Sequence, residues 1–141
     1  TAYRKENFKL VFTNGCFDLL HNGHLDLLSN AAAFGDKLFV GLNSDKSVKK
    51  LKGDSRPVQN EKIRAQKLLE LEYVNHVIIF EDLTPQKLIH AMSPDVLVKG
   101  GDYKKSEIVG AEHVISSGGI VKIIPLTPGF STTSIIEKSS N

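Results

Sequence analysis

A chain with one cysteine cannot form a disulfide within itself, and Cys16 is the only cysteine among these 141 residues. Stability must then come from a packed core, for which this length is sufficient in a single domain. No apolar run approaches the roughly 18 residues that a membrane-spanning helix needs. No signal-peptide pattern opens the sequence either, so a cytoplasmic location away from membranes is the expectation. The formal net charge is only +2, and bulk electrostatics therefore carry no nucleic-acid-binding signature. Low-complexity tracts, internal repeats and linker-like stretches are missing too, so one domain over 1–141 is expected.

Two nucleotide-binding fingerprints are absent as well. No G-x-G-x-x-G follows the first apolar run, and no G-x-x-x-x-G-K-[ST] occurs, which disfavours a dinucleotide fold and a P-loop kinase.

What is present is alternation. Apolar runs at 10–13 (LVFT), 38–42 (LFVGL), 77–80 (VIIF), 96–98 (VLV) and 120–124 (IVKII) read as strands. Between them lie helical patterns: Leu25, Leu28 and Ala32; a stretch from about Asn60 to Glu70; and Leu88, Ile89 and Met92 behind a Thr84 cap and Pro85. A last helix is expected from near Thr132 or Thr133, carrying Ile135 and Ile136. Short apolar strands alternating with helices predict an α/β fold, a Rossmann-like three-layer α/β/α domain on a five-stranded parallel sheet covered on both faces. Ligands of such sheets bind beyond the carboxyl ends of the strands, and the chemically interesting segments all follow strands.

The first of these is 15–24, GCFDLLHNGH. His21 and His24 are three residues apart at the start of a helix, so they share a face where unpaired backbone N–H groups and the helix dipole attract anions. Gly23 between them permits close approach of a ligand. A capped, partly exposed turn is the alternative. Zinc fares worse, because Cys16 is the only cysteine and no third ligand recurs at metal-motif spacing. A second segment after the second strand gathers Lys46, Lys49, Lys50, Lys52 and Arg56, with Arg64 following. It reads as a lysine-rich loop, either a solvated one or a clamp on polyphosphate.

The pattern G-x-F-D-x-x-H-x-G-H at the first strand-helix junction, together with Ser131-Thr132-Thr133 after the last strand, closely resembles the cytidylyltransferase-like nucleotidyltransferases of the HxGH type. Within them, 51–58 (LKGDSRPV) and 97–103 (LVKGGDY) look like the branch that makes ADP-heptose from D-glycero-β-D-manno-heptose 1-phosphate for lipopolysaccharide core synthesis. The resemblance runs from about Phe8 to Lys138. Relatives that act on glycerol 3-phosphate with CTP usually place an arginine shortly before the Ser-Thr motif. Here 125–129 reads PLTPG and has none, which counts against that alternative. A nucleotide-binding module without turnover is an alternative of another class.

The resemblance implies transfer of AMP from ATP to the sugar 1-phosphate, with Mg²⁺ arriving on ATP rather than in a dedicated metal cage. It implies that His21 and His24 hold the triphosphate and stabilise the transition state, with Lys52 beside them. Thr13, Asn14, Gly15 and Phe17 would floor the nucleotide site, joined by Gly23 and Asn43. The Lys50-x-Lys52 pair and Arg64 would contact phosphates, with Lys46 or Lys49 as substitutes within the pair. Lys99, Gly100, Gly101 and Asp102 would lie near the ribose and base, and Ser131, Thr132 and Thr133 at the β- and γ-phosphates. Arg56 would touch the acceptor. Asp18 has two readings, a structural acceptor holding its loop or a group near the acceptor phosphate or metal. Catalysis by Cys16 is not expected, and His76, His90, His113 and Lys122 read as surface. The resemblance further implies a homodimer and a heptose 7-phosphate kinase, fused or separate.

Overall fold

A computed structural model of the chain describes residues 9–101 and 108–124. In chain order the elements are β1 (Leu10–Gly15), α1 (Asn22–Ala32), β2 (Lys37–Asn43), α2 (Asp45–Lys52), α3 (Glu61–Leu69), β3 (His76–Phe80), α4 (Gln86–Met92), β4 (Val96–Gly100), α5 (Ala111–Ser116) and β5 (Ile120–Ile124). The five strands form one sheet in the order β3-β2-β1-β4-β5, and every pairing is parallel.

Side chains of a strand alternate between faces, and two cores follow from that alternation. Val11, Leu38, Val40, Leu42, Val96 and Val98 pack against Leu27, Leu28 and Ala31 of α1 and Leu68 of α3. Leu10, Phe12, Phe39, Leu97 and Val121 pack against Ile89 and Met92 of α4 and Ala111 and Val114 of α5. The sheet is thus the middle of three layers. Burial on both faces holds for the inner strands; the edge strands expose Ile79 (40%) and Ile120 (47%).

Strand order reverses between β1 and β4, the place where open parallel sheets of this type open a crevice at their carboxyl ends.

The lysine-rich segment is not the expected loop. It is α2, capped by Ser44, whose hydroxyl accepts from the Ser47 N–H at 3.2 Å. Asp45 in the first turn and Lys49, Lys50 and Lys52 in the last complement the helix dipole, while Ser47 and Val48 are fully buried. A lysine-rich helix with a narrow apolar stripe hides from periodicity. The six-residue α5 also lay below what spacing reveals; it starts after Gly110, whose φ of 85° suits glycine. Thr84 was expected to cap α4, but Pro85 holds the cap position and no side chain caps that helix. The expected final helix lies outside the described residues. No helix among the described residues is long and apolar enough to cross a membrane.

Candidate active site

The turn after β1 is built around Asp18. Phe17 and Leu19 on either side have φ of 46° and 59°, a conformation that costs a bulky residue about 1–3 kcal/mol and persists only where the surroundings enforce it. The enforcement is visible: the buried Asp18 carboxylate accepts from the Val58 N–H at 2.7 Å and the Gln59 N–H at 2.9 Å. Of the two readings of Asp18, the structural one has this direct geometry. Phe17 turns its ring under Gly15, where an added Cβ would meet Cε2 at 3.0 Å, so glycine at 15 leaves room for the aromatic support. The same ring meets that of His24 edge-on, centroids 5.3 Å apart.

His21 is the N-cap of α1. Its Nδ1 accepts from the Gly23 N–H at 3.0 Å, so Nδ1 carries the lone pair and the neutral ring keeps its hydrogen on Nε2. His24, in the first turn, stacks on His21 with centroids 3.8 Å apart and planes 20° from parallel. Burial holds His21 below the usual histidine range. His24 is pushed down to about 3, first by burial and then by the neighbouring His21 and Lys52. The helix start therefore presents two neutral imidazoles. Gly23 is buried between them.

On the other face of the sheet the strand ends open into a cavity of about 490 Å³. Asn14, Asn43 and Lys99 line it from β1, β2 and β4, with Cys16, Lys52 and Thr84 from the connections. All three strand residues fall on the α4 and α5 side by alternation with Phe12, Phe39 and Leu97. Of the clustered lysines, Lys52 lines this cavity, whereas Lys49 lines a separate depression with Asp45 and Asn60. Lys50 is exposed and is not brought to either. Burial pushes the Cys16 thiol up, more than Lys52, Arg64 and Lys99 draw it down, so the helix end does not make it a thiolate.

Arg64 departs from the expected phosphate contact. It is fully buried; Nε donates to the Gln59 carbonyl at 2.9 Å, and Nη1 to those of Cys16 at 2.9 Å and Asn43 at 2.8 Å. Nη2 meets Asp45 at 2.8 Å. The guanidinium, with no accessible surface, instead ties together the connections that carry the site. Arg56 is half-buried, lies outside the cavity lining, and its Nη1 has no hydrogen-bond partner among the described residues. The Thr13 hydroxyl is likewise buried and unpartnered among those residues. Gly101 closes β4 with φ of 119°, its N–H donating to the Ile124 carbonyl at 3.0 Å. Asp102, Ser131, Thr132 and Thr133 lie outside the described residues. Leu51, Leu83 and Val109 at the cavity rim were not foreseen; each is an exposed apolar side chain, and their contribution comes from tertiary placement. Away from the site, His113 lies 2.9 Å from the Ser93 hydroxyl and stacks on His90.

The sequence model of the family described as Cytidylyltransferase-like matches residues 12–138. The chain belongs to the cytidylyltransferase-like family. Among curated relatives, "Bifunctional protein HldE" of Koribacter versatilis (strain Ellin345) is 56% identical over 136 residues, 96% of this chain and 28% of the relative. The protein of the same name from Rhodopseudomonas palustris (strain HaA2) is 55% identical over 97% of this chain and 28% of its own length. The chain thus spans 28% of the length of these relatives. Among solved structures, a lipopolysaccharide core biosynthesis protein from Thermoplasma volcanium GSS1 superposes with a TM-score of 0.69 at 26% identity, covering 85% of this chain and 97% of that one. For the cytidylyltransferase-like family the histidine pair and the cavity together form the candidate active site.

Proposed function

We propose that this cytidylyltransferase-like domain transfers AMP from ATP to D-glycero-β-D-manno-heptose 1-phosphate, giving ADP-heptose and pyrophosphate. The observation that carries the reading is the stacked neutral histidine pair at the start of α1, beside a lysine-bearing cavity at the sheet's crevice. The choice of a heptose phosphate rests on the identity of more than half to proteins named HldE.

A sugar phosphate is already an anionic nucleophile at neutral pH, so the chain needs no covalent intermediate and no strong base. It must hold two polyanions in line and stabilise charge that builds on the α-phosphate and the leaving pyrophosphate. Neutral imidazole N–H groups at a helix N-terminus do this without the reorganisation that water requires. In this reading His21 offers Nε2–H because its Nδ1 is committed to Gly23. His24 and Lys52 act alongside, and the Asp18 and Arg64 hydrogen bonds keep the three connections in register.

The cavity's polar groups include two ammonium groups, two amides, a hydroxyl and a thiol. That donor set suits phosphate oxygens better than a dication. Mg²⁺ therefore enters the proposal as the partner of ATP, held mainly by triphosphate oxygens and water and supplying charge neutralisation. A cytoplasmic place of action and a kinase that supplies the heptose phosphate belong to the same proposal.

Pyrophosphate release across two nucleotides and a panel of sugar and polyol phosphates tests it. Release with ATP and heptose 1-phosphate, and little with CTP and glycerol 3-phosphate, is expected. The reverse preference moves the chain to the cytidylyl branch, and no release with any pair leaves a binding module.

A further inference from the structure

Away from the candidate active site, two histidines that read as surface in the sequence meet across two helices. His90, exposed in the last turn of α4, stacks on His113 of α5 with centroids 4.2 Å apart and planes 17° from parallel. Gly110 sets that approach: an added Cβ would meet Cδ1 of Ile89 at 2.7 Å, so a side chain there would push α5 off α4. Both rings line a cavity of about 760 Å³ that shares Ile108 with the cavity at the strand ends, but none of its lysines or asparagines. Ser93, in the left-handed conformation at the end of α4, fixes the tautomer. Its hydroxyl donates its one hydrogen to the His90 carbonyl at 3.2 Å, and so accepts from His113 Nε2–H at 2.9 Å. The lone pair of a neutral His113 ring is therefore on Nδ1. His21 is the converse case, its Nδ1 lone pair being taken by the Gly23 N–H.

We propose that His90 and His113 bind a divalent transition-metal ion of the zinc, nickel or copper class, with Ser93 orienting the His113 ring. Imidazole nitrogens suit these ions. A ligating histidine characteristically donates its other N–H to a partner that fixes its tautomer and orientation, and the Ser93 hydroxyl is such a partner before any metal arrives. Rotation of the exposed His90 side chain brings its lone pair beside that of His113. Glu112 lines the same cavity, and its carboxylate adds a potential that attracts cations. Among the described residues no third His, Cys, Asp or Glu completes a ligand set with the pair. Water then fills the remaining positions, as at the open coordination of non-structural sites. The ion bridges α4 and α5, and this site is independent of the nucleotidyl-transfer reading.

Calorimetric titration of Zn²⁺ into the untagged full chain, without nucleotide, reads the affinity, and electron paramagnetic resonance of bound Cu²⁺ counts the nitrogens. One ion per chain and two nitrogen ligands are expected. Ser93→Ala should weaken Zn²⁺ by about tenfold, the lower end of what an outer partner of a ligating histidine contributes. His113→Phe and His90→Phe each keep an aromatic ring in the stack but remove a ligand, and each should weaken Zn²⁺ by more than Ser93→Ala does. If His113→Phe fails to fold, His90→Phe carries the same expectation, since that ring is exposed. Affinity that survives both ring substitutions overturns the proposal, as does the absence of binding. Binding abolished by His24→Phe instead overturns it too and places the ion on the stacked pair of α1. Unchanged affinity in Ser93→Ala overturns the orienting role of Ser93.

Discussion

The imidazoles of His21 and His24 stack with centroids 3.8 Å apart, and burial of the stacked pair makes them neutral donors rather than two cations. A proton on His24 would lose hydration on burial and face both the His21 ring and the nearby Lys52. The edge of Phe17 against His24 fixes the second ring from below, so the pair is positioned before any ligand arrives.

Removing one preorganised donor to a transition state typically costs about 10²–10³-fold in turnover. His24→Ala is expected to lose that much in kcat, with ATP affinity much less affected. Steady-state kinetics with direct ATP titration checks this; turnover within a few-fold of the parent would remove His24 from the chemistry.

The same burial has a pH signature. The His24 ring titrates near 6.5 when unfolded and at about 3 in the folded chain. Between those values the unfolded chain binds the additional proton, so stability falls as pH drops through the window and His24 contributes no slope above it. The slope is at most about 1.4 kcal/mol per pH unit. Urea unfolding across the window should show His24→Asn losing part of that acid sensitivity; an identical slope in both proteins contradicts the assignment.

Asp18→Asn replaces an anion that accepts two backbone N–H bonds with an amide that accepts through one oxygen and turns an NH₂ toward the other donor. A loss of about 2–4 kcal/mol is expected, from one weakened and one orphaned buried contact. Chemical denaturation reads it directly, and a change below about 0.5 kcal/mol would make Asp18 an ordinary surface residue.

Gly15→Ala drives a methyl to within 3.0 Å of the Phe17 ring. Overpacking of this kind costs roughly 1–3 kcal/mol, and the displaced ring should also disturb the His24 environment. The imidazole resonances of His24 in an NMR spectrum would shift in Gly15→Ala; unchanged resonances would mean that the turn absorbs the methyl elsewhere.

Lys52 and Lys50 share a helix turn, but only Lys52 lines the cavity. Lys52→Ala should lower kcat/KM by roughly 10–100-fold, the loss of one charged phosphate contact. Lys50→Ala should lose less. The reverse order would transfer the phosphate contact to Lys50.

The strands were legible because a parallel sheet writes itself as short apolar runs, and β5 at 120–124 matches to the residue. Period-two alternation also ranged Asn14, Asn43 and Lys99 on one face, a signal available in the sequence once Phe12, Phe39 and Leu97 are taken as core. The histidine pair was legible from its spacing. Arg64 was not: a cation on a helix after a basic segment looks like a phosphate contact, and only the fold shows three carbonyls and Asp45 converging on its guanidinium. Asp18 stayed open for the same reason, since its partners lie 40 and 41 residues away and are backbone N–H groups, which any sequence supplies. α2 was missed because its apolar stripe is one valine wide.

The central claim, adenylyl transfer to a sugar 1-phosphate, is tested most directly by following label from ATP into products with heptose 1-phosphate as acceptor. Label at the α-phosphate should appear in ADP-heptose, and label at the γ-phosphate in pyrophosphate. Transfer of γ-label to the sugar, or no transfer of α-label, would contradict the account.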